Sequence, residues 1–122
     1  FQGEGMASIR DLVAAIRQRD GVEAAVILGR DGLLIDSQVV AGLDPEDLAA
    51  RIPPIIASAD DFGAASGRGE LVTAVLEHRD GLALISALTS DAVLFVLLAP
   101  GANVGQLLYE LRRNREHIAA LV

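Results

Sequence analysis

Few side chains in this sequence have the chemistry for catalysis. Its two histidines, His78 and His117, fall at a strand end and on the last helix. A histidine base needs a nucleophile within hydrogen-bond reach and a third group to orient it. Nothing in the spacing supplies either, so both read as surface positions. Asp60-Asp61 has the donors of a carboxylate metal pair, yet adjacent helical residues face different directions, and the pair reads as a solvated helix edge. Gly67-Arg68-Gly69 lacks the preceding strand, the following helix and the lysine of a phosphate-binding loop; it reads as a turn. Arg112, Arg113 and Arg115 gather near a helix end, where cations suit the macrodipole. They read as a solvated face, with docking of an acidic partner as the alternative. The sequence thus offers no catalytic residue, no metal site and no cofactor site.

Composition closes further classes. The chain has 122 residues, of which 52% are hydrophobic and 3% aromatic, and carries a net charge of -7. That length supports one domain with one core, built from Leu, Ile, Val and Ala. An acidic balance with so few rings excludes a nucleic-acid partner. There are no cysteines, so disulfides and thiolate metal sites are ruled out. All ten basic residues are arginine, as GC-rich bacterial coding favours. No apolar run reaches the roughly 18 residues of a membrane helix, and the sequence predicts no membrane insertion and a cytoplasmic location. Residues 1–5, Phe1-Gln2-Gly3-Glu4-Gly5, read as the remnant of a cleaved expression tag, leaving residues 6–122 as a single domain.

The elements that must position these residues follow from periodicity. Ser8 caps a first helix whose stripe is Ile9, Leu12, Val13 and Ile16, ending near Asp20-Gly21. Strands are predicted over Val22–Gly29 and Leu33–Ser37, with Gly32 supplying the positive φ of the hairpin turn. A second helix opens at Asp44-Pro45 with Glu46 and Asp47 behind it. Its expected buried stripe is Leu48, Ile52, Ile55, Ala59 and Phe62. Pro53-Pro54 removes helix hydrogen bonds and pushes Ile52 toward extended geometry, which predicts a kink or a helix in two pieces. The stretch from Phe62 to Gly69 is expected to fray into a loop. Three strands follow, Leu71–Glu77, Leu82–Leu88 and Ala92–Leu98, with connections so tight that they must be antiparallel. A last helix buries Val104, Leu107, Leu108, Leu111 and Ile118. Both faces of the strands are apolar, so the helices must divide between the two faces of the sheet.

The element order, together with Gly21-Val22-Glu23-Ala24-Ala25-Val26-Ile27-Leu28, Arg30-Asp31-Gly32-Leu33, Gly69-Glu70-Leu71 and Ala102-Asn103-Val104-Gly105 running into Leu107, Leu111, Arg112 and Arg113, resembles the roadblock/dynein light-chain family. Within it the chain is most similar to the bacterial and archaeal MglB-like regulators of Ras-like GTPases. The resemblance spans Ser8 to Leu121. It implies an α+β fold, α-β-β-α-β-β-β-α, in which a five-stranded antiparallel sheet carries the middle helix on one face and the N- and C-terminal helices on the other. Pro53-Pro54 departs from the uninterrupted middle helix of the family.

The resemblance implies a non-enzymatic homodimer that binds a small Ras-like GTPase, as an activating partner or as a localisation scaffold. A structural light-chain-like adaptor, indifferent to nucleotide state, is the alternative. If the strand of Leu71, Val72, Thr73, Ala74, Val75, Leu76 and Glu77 is a sheet edge, it is an open template for a second copy, since no proline, lysine or inward charge blocks it. The outward positions of the middle helix, Asp47, Arg51, Ser58 and Asp61, are the expected GTPase-binding surface. Arg51 and Arg68 are placed where an inserted arginine would act, but the resemblance points instead to repositioning of the GTPase's own residues.

Overall fold

The Ser8 hydroxyl caps the first helix as predicted, accepting the Asp11 N–H at 3.2 Å. A computed structural model describes residues 8–122; the expected tag remnant, residues 1–5, lies outside the described residues. Helix α1 (Ile9–Arg17) buries Leu12, Val13 and Ile16. Strands β1 (Val22–Gly29) and β2 (Leu34–Val39) form the first hairpin. Gly32 in the turn has φ 89°, and the Asp31 carboxylate accepts the Leu33 N–H at 3.0 Å. β2 begins one residue later and ends two residues later than predicted.

Helix α2 (Pro45–Ser66) leads to the meander β3 (Thr73–His78), β4 (Gly81–Ala87) and β5 (Ala92–Leu98). The sheet order is β2-β1-β5-β4-β3, antiparallel throughout. The first and last strands thus pair at its centre, and β2 and β3 are its edges. Because β5 is covered on both faces, it reads as a continuous apolar run, Ala92-Val93-Leu94-Phe95-Val96 all buried. Leu94 and Val96 pack with Leu12, Ile16 and Leu107 on one side. Val93 and Phe95 pack with Ile52 and Ile56 of α2 on the other. The helices divide between the faces as predicted, and an Arg19–Glu110 ion pair ties the end of α1 to the third helix.

Three expectations about helices are corrected. First, α2 is not in two pieces: it runs as one helix through Pro53 and Pro54. The prolines remove the N–H groups that would reach the carbonyls of Ala49 and Ala50 and crowd those carbonyls, but Ile52 and Ile56 on either side of the pair are anchored in the core. The β1–β2 turn packs there as well: a Cβ on Gly32 would lie 3.3 Å from Pro53 Cγ.

Second, residues 62–66 do not fray. The helix continues to Ser66 and closes on Gly67 in the left-handed conformation at φ 72°, while the Gly63 carbonyl accepts the Arg68 N–H at 2.7 Å and the Gly69 N–H at 3.2 Å. That closure needs Gly63 inward, which turns Phe62 outward, 74% exposed. The buried stripe is therefore Ala49, Ile52, Ile56 and Gly63, which keeps Ile52 of the expected set but replaces Leu48, Ile55 and Phe62 by the residue that follows each, with Leu48 and Ile55 flanking it.

Third, the last helix is two. α3 (Val104–Arg113) and α4 (Arg115–Leu121) meet at Asn114, whose side-chain amide donates to the Glu110 carbonyl at 2.8 Å. Ile118 still joins Leu107 and Leu111 in the core.

Candidate interaction surface

Helix α2 starts on a firm cap. Asp44 Oδ1 accepts the N–H groups of Glu46 at 3.0 Å and Asp47 at 3.3 Å. From there the helix turns Asp47, Arg51, Ser58 and Asp61 to solvent, and all four are exposed. Arg51 is already engaged: its Nε donates to Asp47 Oδ2 at 3.2 Å. That hydrogen bond, and the charge behind it, hold the guanidinium pKa above its ordinary value. The surface therefore presents a neutralised pair rather than a lone cation.

Asp60 and Asp61 part company. Asp60 Oδ1 accepts the Leu71 N–H at 2.7 Å and Oδ2 lies 3.9 Å from the Arg30 guanidinium, so this carboxylate fastens the end of α2 to the chain entering β3. Asp61 faces solvent. Among the described residues no group of three or more His, Cys, Asp or Glu side chains is arranged to hold a metal ion. His78 ends β3 and is exposed, while His117 is half-buried on α4.

β3 is an edge strand. It begins at Thr73 rather than Leu71, and the Leu71 N–H is held by Asp60. Leu71, Ala74 and Leu76 pack on the α2-side core, whereas Val72 and Val75 are 52% and 42% exposed; Thr73 is half-buried and Glu77 exposed. Beside this edge lies a hollow of about 320 Å³ lined by Phe62, Gly63, Arg68, Val72, Thr73 and Arg112, among others. It joins three exposed features that are far apart in sequence: Phe62 of α2, Val72 before β3 and Arg112 of α3. Phe62 escaped the sequence reading, which had it buried; the signal lay in Gly63, the one residue of the helix tail that tolerates backbone closure. At the opposite edge, β2 is guarded by a register shift between Ile27 and Leu28 and by the half-buried charge of Asp36, devices that discourage edge pairing. β3 has neither.

A family model for the Roadblock/LC7 domain matches residues 9–98. The chain belongs to that family. The roadblock fold is equally plain in three dimensions. A Roadblock/LC7 domain from Streptomyces avermitilis superposes with a TM-score of 0.80 at 22% identity, over 92% of this chain and 95% of that one. Myxococcus xanthus MglB gives a TM-score of 0.81 at 14% identity, over 94% and 97%. In sequence, the uncharacterized protein MJ1340 of Methanocaldococcus jannaschii is 26% identical over 106 residues, 87% of this chain and 92% of its own. The roadblock domain described here places the end of α2, with Phe62, beside the entry to the β3 edge. Among its described residues no helix is long and apolar enough to cross a membrane.

Proposed function

We propose that this roadblock domain is a non-enzymatic, homodimeric interaction module of the cytoplasm that binds a separately encoded small Ras-like GTPase and regulates it. The observation that carries the reading is the unguarded edge strand β3, with the exposed Phe62 at the end of α2 beside its entry, on the fold shared with MglB. Two copies joined through residues 71–77 extend the sheet across both chains, and the exposed Phe62, Val72 and Val75 leave solvent at the seam. An interface of ordinary size buries roughly 1,200 to 2,000 Å². The same twofold doubles the surface formed by Asp47, Arg51, Ser58 and Asp61, which is the docking face for the GTPase. Arg51 is paired with Asp47, which favours a mode of action through the GTPase's own residues over an inserted arginine.

The test is a pull-down from the source cell with a GTP or a GDP analogue present, followed by mass identification. Recovery of a Ras-like GTPase in one nucleotide state supports regulation; recovery independent of nucleotide turns the reading to a structural adaptor. With that GTPase in hand, reversing the charges of Arg51 and Asp61 together should weaken binding more than about tenfold while leaving the melting temperature nearly unchanged, because exposed charges contribute little to stability. Unchanged affinity would move the site to the face of Arg112, Arg113 and Arg115. Calorimetry of the isolated protein with GTP, ATP, magnesium or zinc should show no saturable heat.

A further inference from the structure

Along an edge strand, every second residue turns its backbone N–H and C=O away from the sheet. One bond fixes which residues these are in β3: the Ala87 N–H donates to the Val72 carbonyl at 2.9 Å. With Thr73 opposite Ser86 and Val75 opposite Leu84, the positions bonded to β4 are Val72, Ala74, Leu76 and His78. Thr73, Val75 and Glu77 are left with backbone groups facing outward. The open stretch has a defined start, because the N–H of Leu71, the preceding residue of the same phase, is held by Asp60 at 2.7 Å. It has a defined end at the two-residue turn Arg79-Asp80. The outward set is therefore symmetric about Val75.

Resting on the homodimer reading above, we infer that the two edges pair antiparallel about a twofold at Val75, with Thr73 opposite the partner's Glu77. A twofold normal to the sheet reverses the second strand, and bonds form only where outward residues meet outward residues. The register centred on Val75 uses all three; a slip of two residues in either direction uses only two. Side chains agree with this choice. Ala74 and Leu76 point to the α2-side core, so Thr73, Val75 and Glu77 share the other face. There Val75, 42% exposed, is covered by the partner's Val75. Arg112 lines the same hollow as Thr73, and the partner's Glu77, standing across from Thr73, brings its carboxylate to that guanidinium. Among the described residues neither Arg112 nor Glu77 has an ion-pair partner in its own chain. The second copy supplies that partner at both ends of the seam.

The absence of cysteine makes single cysteines clean reporters. Hydrogen-bonded antiparallel pairs hold their Cα atoms about 5.5 Å apart, within the range of roughly 4.4–6.8 Å that a disulfide spans. On oxidation, Val75→Cys should give a covalent dimer by itself. Thr73→Cys and Glu77→Cys should each stay uncoupled alone and couple when mixed. Arg112→Glu and Glu77→Arg should each weaken the dimer by about tenfold or more, and the double exchange should restore it. If the unaltered protein is a monomer at micromolar concentration by light scattering, the homodimer reading falls and takes this inference with it. If it is a dimer, but Thr73→Cys couples to itself, Val75→Cys fails to couple or the double exchange restores nothing, the register is wrong and the homodimer stands.

Discussion

A Cβ placed on Gly63 would sit 1.8 Å from the carbonyl oxygen of Gly69. No real Cβ approaches a backbone atom so closely, so the end of α2 and the loop that returns toward β3 are joined at a point where only hydrogen fits. The contact sets the phase of the helix: with residue 63 inward, Phe62 must face out. Gly63→Ala should therefore lower stability by about 3 kcal/mol, the upper part of the usual range for overpacking, since the clashing atom is main chain. Urea denaturation followed by circular dichroism measures this. A loss below about 1 kcal/mol would show that the loop moves aside freely.

Asp60 acts on the same junction from the other side. Asp60→Ala removes the acceptor of the Leu71 N–H, a charge-assisted bond of 2.7 Å, and should cost about 1.5–3 kcal/mol. Asp60→Asn keeps an oxygen in place and should cost less. Amide exchange at Leu71 is the direct readout and should speed up in the alanine variant while protection along β5 persists.

The two prolines of α2 should respond differently. Pro54 is exposed, so Pro54→Ala returns an N–H to the Ala50 carbonyl with little packing lost. The helical gain of about 3 kcal/mol, less the entropy returned to the unfolded chain, leaves a net stabilisation of roughly 2 kcal/mol. Pro53→Ala gives up the contact with the Gly32 turn and should gain less. Equal shifts of the denaturation midpoint would argue that the turn does not bear on the helix.

Phe62 is a large ring left 74% exposed beside the edge strand. Phe62→Ser should leave the melting temperature of the dilute protein within a few degrees of the original, because the side chain buries little in its own chain. Self-association measured by sedimentation should weaken by at least about tenfold, as loss of an aromatic anchor does. Intact association in this variant would place the seam away from the end of α2.

Much of this architecture was legible in the sequence because it rests on local chemistry. The cap at Ser8, the acidic start of α2 at Asp44, the turn at Gly32 and the alternating apolar strands each follow from a few neighbouring residues. Two apolar faces on every inner strand force helices onto both sides of the sheet. Strand order is another matter: that β1 pairs with β5, and that β3 is left at an edge, depends on contacts between residues some seventy positions apart, as in Val26 opposite Phe95. The sequence rule for proline allowed α2 to fall into two pieces, and packing of Ile52 and Ile56 across the pair holds it as one. Periodicity alone assigned Phe62 to the core because it takes no account of the backbone returning at Gly69. Exposure of a side chain is settled by what the chain brings against each face of its element, and for Phe62 and Asp60 on α2 and Val75 on β3 that came only with the tertiary structure.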